Sequence, residues 1–169
     1  MTSNSAIALE IAEESDLWQG LDAIEARIEA AVAASIAVAR LKHAPGAELS
    51  VVLTDDASIR QINAQWRSID KPTNVLSFPQ AEGKAIARAP MLGDIIFAHE
   101  TIAREADEAG KSFADHLSHL TVHGLLHLFG YDHLTEAEAE AMEALEIRIL
   151  ATLGIENPYA DAPLLREAS

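Results

Sequence analysis

Apolar and smaller or polar residues alternate around Ile7, Leu9 and Ile11, the period-two signature of a strand with one covered face. The period then lengthens. Leu21, Ile24, Ile28, Val32 and Ile36 recur at helical spacing with charges opposite, which predicts an amphipathic helix from about Leu21 to Leu41, stopped near Pro45-Gly46. Leu49 to Leu53 is a short β-branched apolar run and reads as a second strand. Thr54, Asp55 and Asp56 supply N-cap chemistry for a helix through roughly Trp66. Asn74 to Phe78 and Leu92 to Phe97 predict two more strands, with an exposed loop between Pro79 and Pro90.

Beyond the fourth strand the pattern is helical to the end. Ser112 with Asp115 resembles a capping box opening a helix to about Phe129, and Gly130 suits the left-handed residue that follows it. Thr135 with Glu138 opens another helix, which carries Met142, Leu145, Ile149 and Leu153 on one face and ends at Gly154. Strands alternate with helices early and helices dominate late. The expected fold is therefore α+β (mixed α/β), a mixed sheet of about four strands packed with helices. No repeat or linker divides the chain, so residues 1–169 are read as a single domain, with 159–169 a loosely held tail.

Composition narrows the chemistry. The chain of 169 residues has no cysteine, so disulfides are excluded and any metal must be held by nitrogen or oxygen. Met1 to Ser5 shows no basic region leading into an apolar one, and the apolar stretch Ala30 to Ala39 is too short to span a bilayer. A soluble, cytoplasmic protein with no membrane partner is expected. The net charge of −15 argues mildly against nucleic acid. The acids are unevenly placed, however: Arg40 to Lys111 holds nine basic residues against ten acidic ones, so the middle of the chain is close to neutral. That segment can present a local basic surface.

The segment His123-Gly124-Leu125-Leu126-His127-Leu128-Phe129-Gly130-Tyr131-Asp132-His133 carries the strongest chemical signal. Positions i and i+4 of a helix share a face, so His123 and His127 can aim at one metal ion, and a turn at Gly130 can return His133 as a third ligand. Seven histidines in 169 residues would give this spacing by chance about once in a hundred such chains. Three nitrogens leave a tetrahedral zinc ion, one per chain, an open position for water whose pKa falls to roughly 7. That is a catalytic arrangement rather than a structural one. His116 and His119 continue the stripe as half-buried or surface histidines, or as partners of a ligand or of substrate. Asp132 either orients a histidine or forms the turn. His43 and His99 have no motif around them.

The spacing matches that of the metzincin metallopeptidases, H-E-x-x-H-x-x-G-x-x-H, except that Gly124 stands where the catalytic glutamate belongs. A zincin-like histidine-bearing helix is implied, but a peptidase would lack its base. The segment instead resembles the YbeY family of bacterial endoribonucleases, whose signature H-G-x-L-H-L-x-G-Y-D-H is met at each fixed position. Two further blocks of that family are present: Asn63, Trp66-Arg67 and Asp70 to Pro79, then Leu92-Gly93-Asp94-Ile95. The resemblance implies a single-strand-specific, metal-dependent endoribonuclease. It would act in ribosomal RNA maturation at the 3′ end of the small-subunit rRNA and in ribosome quality control, with the small subunit and assembly factors as partners and no DNA substrate. It implies zinc at His123, His127 and His133 and a functional Arg67, whose planar fork suits a phosphate. A structural zinc module and a ribosome-assembly adaptor that keeps the metal site are the readings outside hydrolysis.

Overall fold

The computed structural model describes residues 6–21 and 23–160. Four strands form one sheet in the order β1-β2-β4-β3: β1 (Ala8–Glu13), β2 (Glu48–Thr54), β3 (Val75–Pro79) and β4 (Met91–Ala98). β1, β2 and β4 run parallel, while β3 lies antiparallel to β4 at one edge. The predicted mixed four-stranded sheet is therefore observed. Five α-helices surround it among the described residues: α1 (Ile24–Ala39), α2 (Asp56–Arg67), α3 (His99–Ala109), α4 (Phe113–Leu128) and α5 (Glu136–Thr152).

The period-two alternation of the strands sorts side chains to two faces. Leu49, Val51, Leu53, Val75, Ile95 and Phe97 join Ile28 of α1 and Leu117, Leu120 and Leu125 of α4 in the main core. Leu76, Ile96 and Ala98 face the other way and meet Ile59 of α2. α4 is buried around nearly its whole circumference, because the sheet, α1, α3 and α5 all pack on it. Burying each of its fully enclosed side chains, such as Leu120, Leu125 and Leu126, contributes roughly 1.5–3 kcal/mol. Its interior hydroxyls are satisfied locally: Ser118 donates to the carbonyl of Ala114 and Thr121 to that of Leu117. The histidine helix is thus the most constrained element of the molecule.

The structure departs from the sequence expectations in four places. α1 starts at Ile24 and ends at Ala39, short of Pro45, because Arg40 takes a left-handed conformation (φ 54°) and closes the helix. The predicted loop between Pro79 and Pro90 contains a 3-10 helix (Gly83–Arg88) that buries Ile86. The new helix expected from the Ser112 cap is observed, with Gly110 (φ 68°) ending α3 just before it. Ser112 caps α4 by accepting from the Asp115 N–H, but the Asp115 carboxylate pairs with Arg27 instead of returning to the cap. Thr135 and Glu138 do form the full reciprocal box. Finally, Tyr159, placed in the loose tail, is hydrogen-bonded into the protein interior; residues 161–169 lie outside the described residues.

Candidate metal centre and adjoining cleft

α4 presents His123 and His127 on one face, their ring centroids 4.7 Å apart. The helix then ends in a reciprocal pair of backbone bonds, Gly130 N–H to the His127 carbonyl and Tyr131 N–H to that of Leu126, with Gly130 at φ 98°. This Schellman geometry reverses the chain. Asp132 accepts the backbone N–H of His133 at 2.8 Å and so shapes the turn rather than orienting a histidine ring. His133 comes to lie 5.2 Å from His127 and 5.8 Å from His123, ring centre to ring centre. One donor atom from each of the three residues lies within 4.8 Å of the other two, so the cluster can hold a metal ion.

Two observations fit that use. Nε2 of His127 and Nε2 of His133 are buried and have no hydrogen-bond partner among the described residues. An unsatisfied buried polar atom costs roughly 1–3 kcal/mol unless something else occupies it. The His127 imidazole is also held well below the ordinary histidine value, to about 4, first by burial and then by His123 and His133. It is therefore neutral at physiological pH, the form that ligates metal.

Sequence reasoning missed Glu146. This residue of α5 is fully buried, and its Oε2 accepts from Nδ1 of His123 at 2.7 Å. With Nδ1 donating, the His123 ring is turned so that Nε2 is its ligand nitrogen. Oε1 accepts from Nε2 of His119 at 2.9 Å and from the Tyr159 hydroxyl. Burial opposes ionisation of Glu146, but hydrogen bonds from His119 and His123 outweigh it and hold the carboxyl below the usual carboxylate range. His119 is pushed down by burial. His119, expected at the surface or half-buried, is instead buried, and it reaches His123 through Glu146. A signal was available: Glu146 interrupts the buried stripe Met142, Leu145, Ile149, and a carboxylate on such a stripe is rarely unpartnered.

On the opposite wall, Arg67 is the last residue of α2. Ser68 follows it in a left-handed conformation (φ 59°) and ends the helix there. Arg67 is exposed, and its guanidinium has no hydrogen-bonded or ion-paired partner among the described residues. It lines a cleft of about 300 Å³ together with Leu76, Ser77 and Pro79 of β3 and His127, Tyr131 and Asp132. All the predicted site residues thus converge, His127 and Arg67 on one cleft. His116 does not: its Nε2 meets Glu105, which also accepts from Asn74. His43 and His99 stand apart, the latter edge-on to Trp18.

Gly124 faces the sheet. A Cβ there would lie 3.0 Å from Ser77 Oγ and 3.2 Å from Ile95 Cγ2. A side chain at the position where metallopeptidases carry their base would therefore press on Ser77 and Ile95.

The family described as Endoribonuclease YbeY matches residues 12–154, which include all three sequence blocks. The chain belongs to the endoribonuclease YbeY family. Relatives named Endoribonuclease YbeY include one from Methylocella silvestris, 51% identical over 90% of this chain and 86% of its own. Others are from Rhodopseudomonas palustris strain BisA53, 55% identical over 91% of each chain, and from Rhizobium meliloti, 51% identical over 94% of this chain and 98% of its own. The solution structure of TM1509 from Thermotoga maritima shares the fold, with a TM-score of 0.52 at 24% identity, covering 86% of this chain and 91% of that one. No helix among the described residues is long and apolar enough to cross a membrane.

Proposed function

We propose that this chain is a zinc-dependent endoribonuclease that cuts single-stranded RNA. Its natural substrate on this reading is ribosomal RNA at the 3′ end of the small-subunit transcript, met in the cytoplasm on the assembling small subunit, with single-stranded DNA left intact. The observation that carries the reading is the cleft: an unpaired arginine faces a histidine of a three-imidazole cluster across a space open to solvent. Membership of the family and the endoribonuclease names of its relatives support the reaction class.

His123, His127 and His133 would hold the ion; when bound, zinc supplies Lewis acidity toward a phosphoryl group and activates a nucleophile. Arg67 holds a phosphate with its fork and stabilises the charge that builds on it as the P–O bond breaks. Glu146 fixes the orientation of His123. Gly124 supplies no base, so the proton delivery that an amine leaving group demands is missing from the position metallopeptidases use.

The test runs casein, an unpaired RNA and a DNA of the same sequence in parallel with zinc-loaded protein, each with a chelated control. Chelator-sensitive cleavage of the RNA alone is expected. Casein hydrolysis with intact RNA would overturn the nuclease reading while leaving the metal centre standing.

A further inference from the structure

Trp66 occupies a position whose pattern should bury it. Ile59, Ile62 and Asn63 form the inward stripe of α2, and Trp66 follows at the same helical spacing, three and four residues on. Ile59 and Asn63 are closed off at 0% and 1% exposure, yet Trp66 is 67% exposed. The cause is its place at the sheet margin. β3 is an edge strand, and there the indole meets Phe78 at an angle (centroids 6.2 Å apart, planes at 62°). Among the described residues no other ring and no cation lies against it.

The surroundings say what such a ring meets. Phe78 lies between Ser77 and Pro79, which both line the cleft, and Arg67 follows Trp66 directly on the helix. Successive helical residues diverge by about 100°. The two side chains nevertheless leave the helix from adjacent positions, and Trp66 leans on Phe78, between two cleft-lining residues, so a strand whose phosphate meets Arg67 in the cleft passes within reach of the indole. A single-stranded nucleotide offers both a phosphate and an unpaired base. From this geometry we infer that Trp66 is a base-stacking platform that positions the RNA strand, taking one nucleobase of the nucleotide whose phosphate contacts Arg67. The inference rests on the nuclease reading and adds to it a reason for the preference for unpaired RNA, since a base within a duplex offers no free face. Stacking tolerates every base, and its strength grows with the size of the ring system.

The molecule supplies its own probe. Its other tryptophan, Trp18, is 2% exposed and donates its indole N–H to the Thr54 carbonyl, so quencher-accessible emission reports Trp66. Metal-loaded full-length protein is mixed rapidly with a short oligoadenylate, an oligouridylate or an abasic ribose-phosphate oligomer of equal length, and emission is read before turnover. Saturable quenching by oligoadenylate, weaker quenching by oligouridylate and none by the abasic strand are expected. Trp66→Ala should raise KM about tenfold with kcat nearly unchanged, the loss of one stacked base, and Trp66→Tyr should restore most of it. The side chain is exposed, so an unchanged melting temperature confirms that the variants are folded. RNA cleavage by wild type with an unchanged KM in Trp66→Ala, or equal quenching by the abasic strand, overturns the platform and leaves the nuclease intact. A wild-type protein that neither binds nor cuts any of these RNAs overturns both.

Discussion

On the α4–α5 side of the cleft a buried hydrogen-bond network fixes His123 beside the two unpartnered Nε2 atoms of His127 and His133. His123 is held by Glu146 and Glu146 by His119 and Tyr159; the two histidines and Glu146 are buried, and Tyr159 packs against the main core. On the α2 side, Arg67 and Trp66 extend into solvent and lean on almost nothing. A metal ion needs donors set to within tenths of an ångström, and a packed interior provides that. A flexible polymer needs charge and a flat surface that adapt to it, and an exposed helix end provides those. The two sides should therefore fail in different ways when altered.

The largest effect is expected at the fixed side. His127→Ala removes one of the two helix-borne ligands and should take metal content from about one ion per chain to none, with RNA cleavage lost; elemental analysis of the purified variant decides it. Unchanged stoichiometry would mean the histidines are not the ligands. Arg67→Ala should lower cleavage about a hundredfold while keeping full metal occupancy and the wild-type melting profile. Loss of metal in that variant would erase the contrast between the two sides.

Glu146→Gln sharpens the comparison, because Glu146 is fully buried and bonded to His119, His123 and Tyr159. Its amide cannot match a carboxylate as acceptor for both His119 and His123, so metal affinity measured by chelator competition should fall about ten- to a hundredfold. Wild-type affinity would show that the network serves folding alone. Acid should likewise act through the buried side. The folded pKa of His127 is depressed to about 4 from 6.5, so between those values the unfolded chain binds the extra proton. Stability of the metal-free protein should fall as pH drops through that window, by on the order of 1–3 kcal/mol, and a pH series of thermal melts measures it. The smallest effect belongs to the open side: Lys71→Ala should weaken RNA binding only slightly and shallow its salt dependence. A salt slope equal to wild type would place Lys71 off the RNA path.

What the sequence revealed about this site follows from how far each contact reaches along the chain. His123, His127 and His133 are legible because a helix repeat and one glycine turn join them locally. Asp55 as the cap of α2 and Thr135 with Glu138 are legible for the same reason. The bond from Glu146 to His123 crosses from one helix to the next, and no periodicity encodes a partner on another element. Periodicity marked Glu146 only as an oddity. Arg67 came into view through the family block alone; that it faces His127 depends on β3 lying outside β4, an order that alternation within single strands does not specify. Tyr159 was hidden by the Pro158 beside it, which reads as the start of a tail.

The seat of Gly124 also bears on the history of the scaffold. The histidine spacing is shared with metallopeptidases, so the two chemistries differ in sequence at one residue of an eleven-residue motif. In three dimensions the distance is greater. A side chain at 124 meets Ser77 on β3 and Ile95 on β4, and the Ser77 hydroxyl is also tied to the Gly124 carbonyl. Any side chain installed there requires those of Ser77 and Ile95 to give by a few tenths of an ångström, so a point mutation toward the peptidase motif carries a packing cost along with its change of chemistry. A contact between a helix and two strands thus adds a packing cost to a substitution that the histidine spacing alone would leave open.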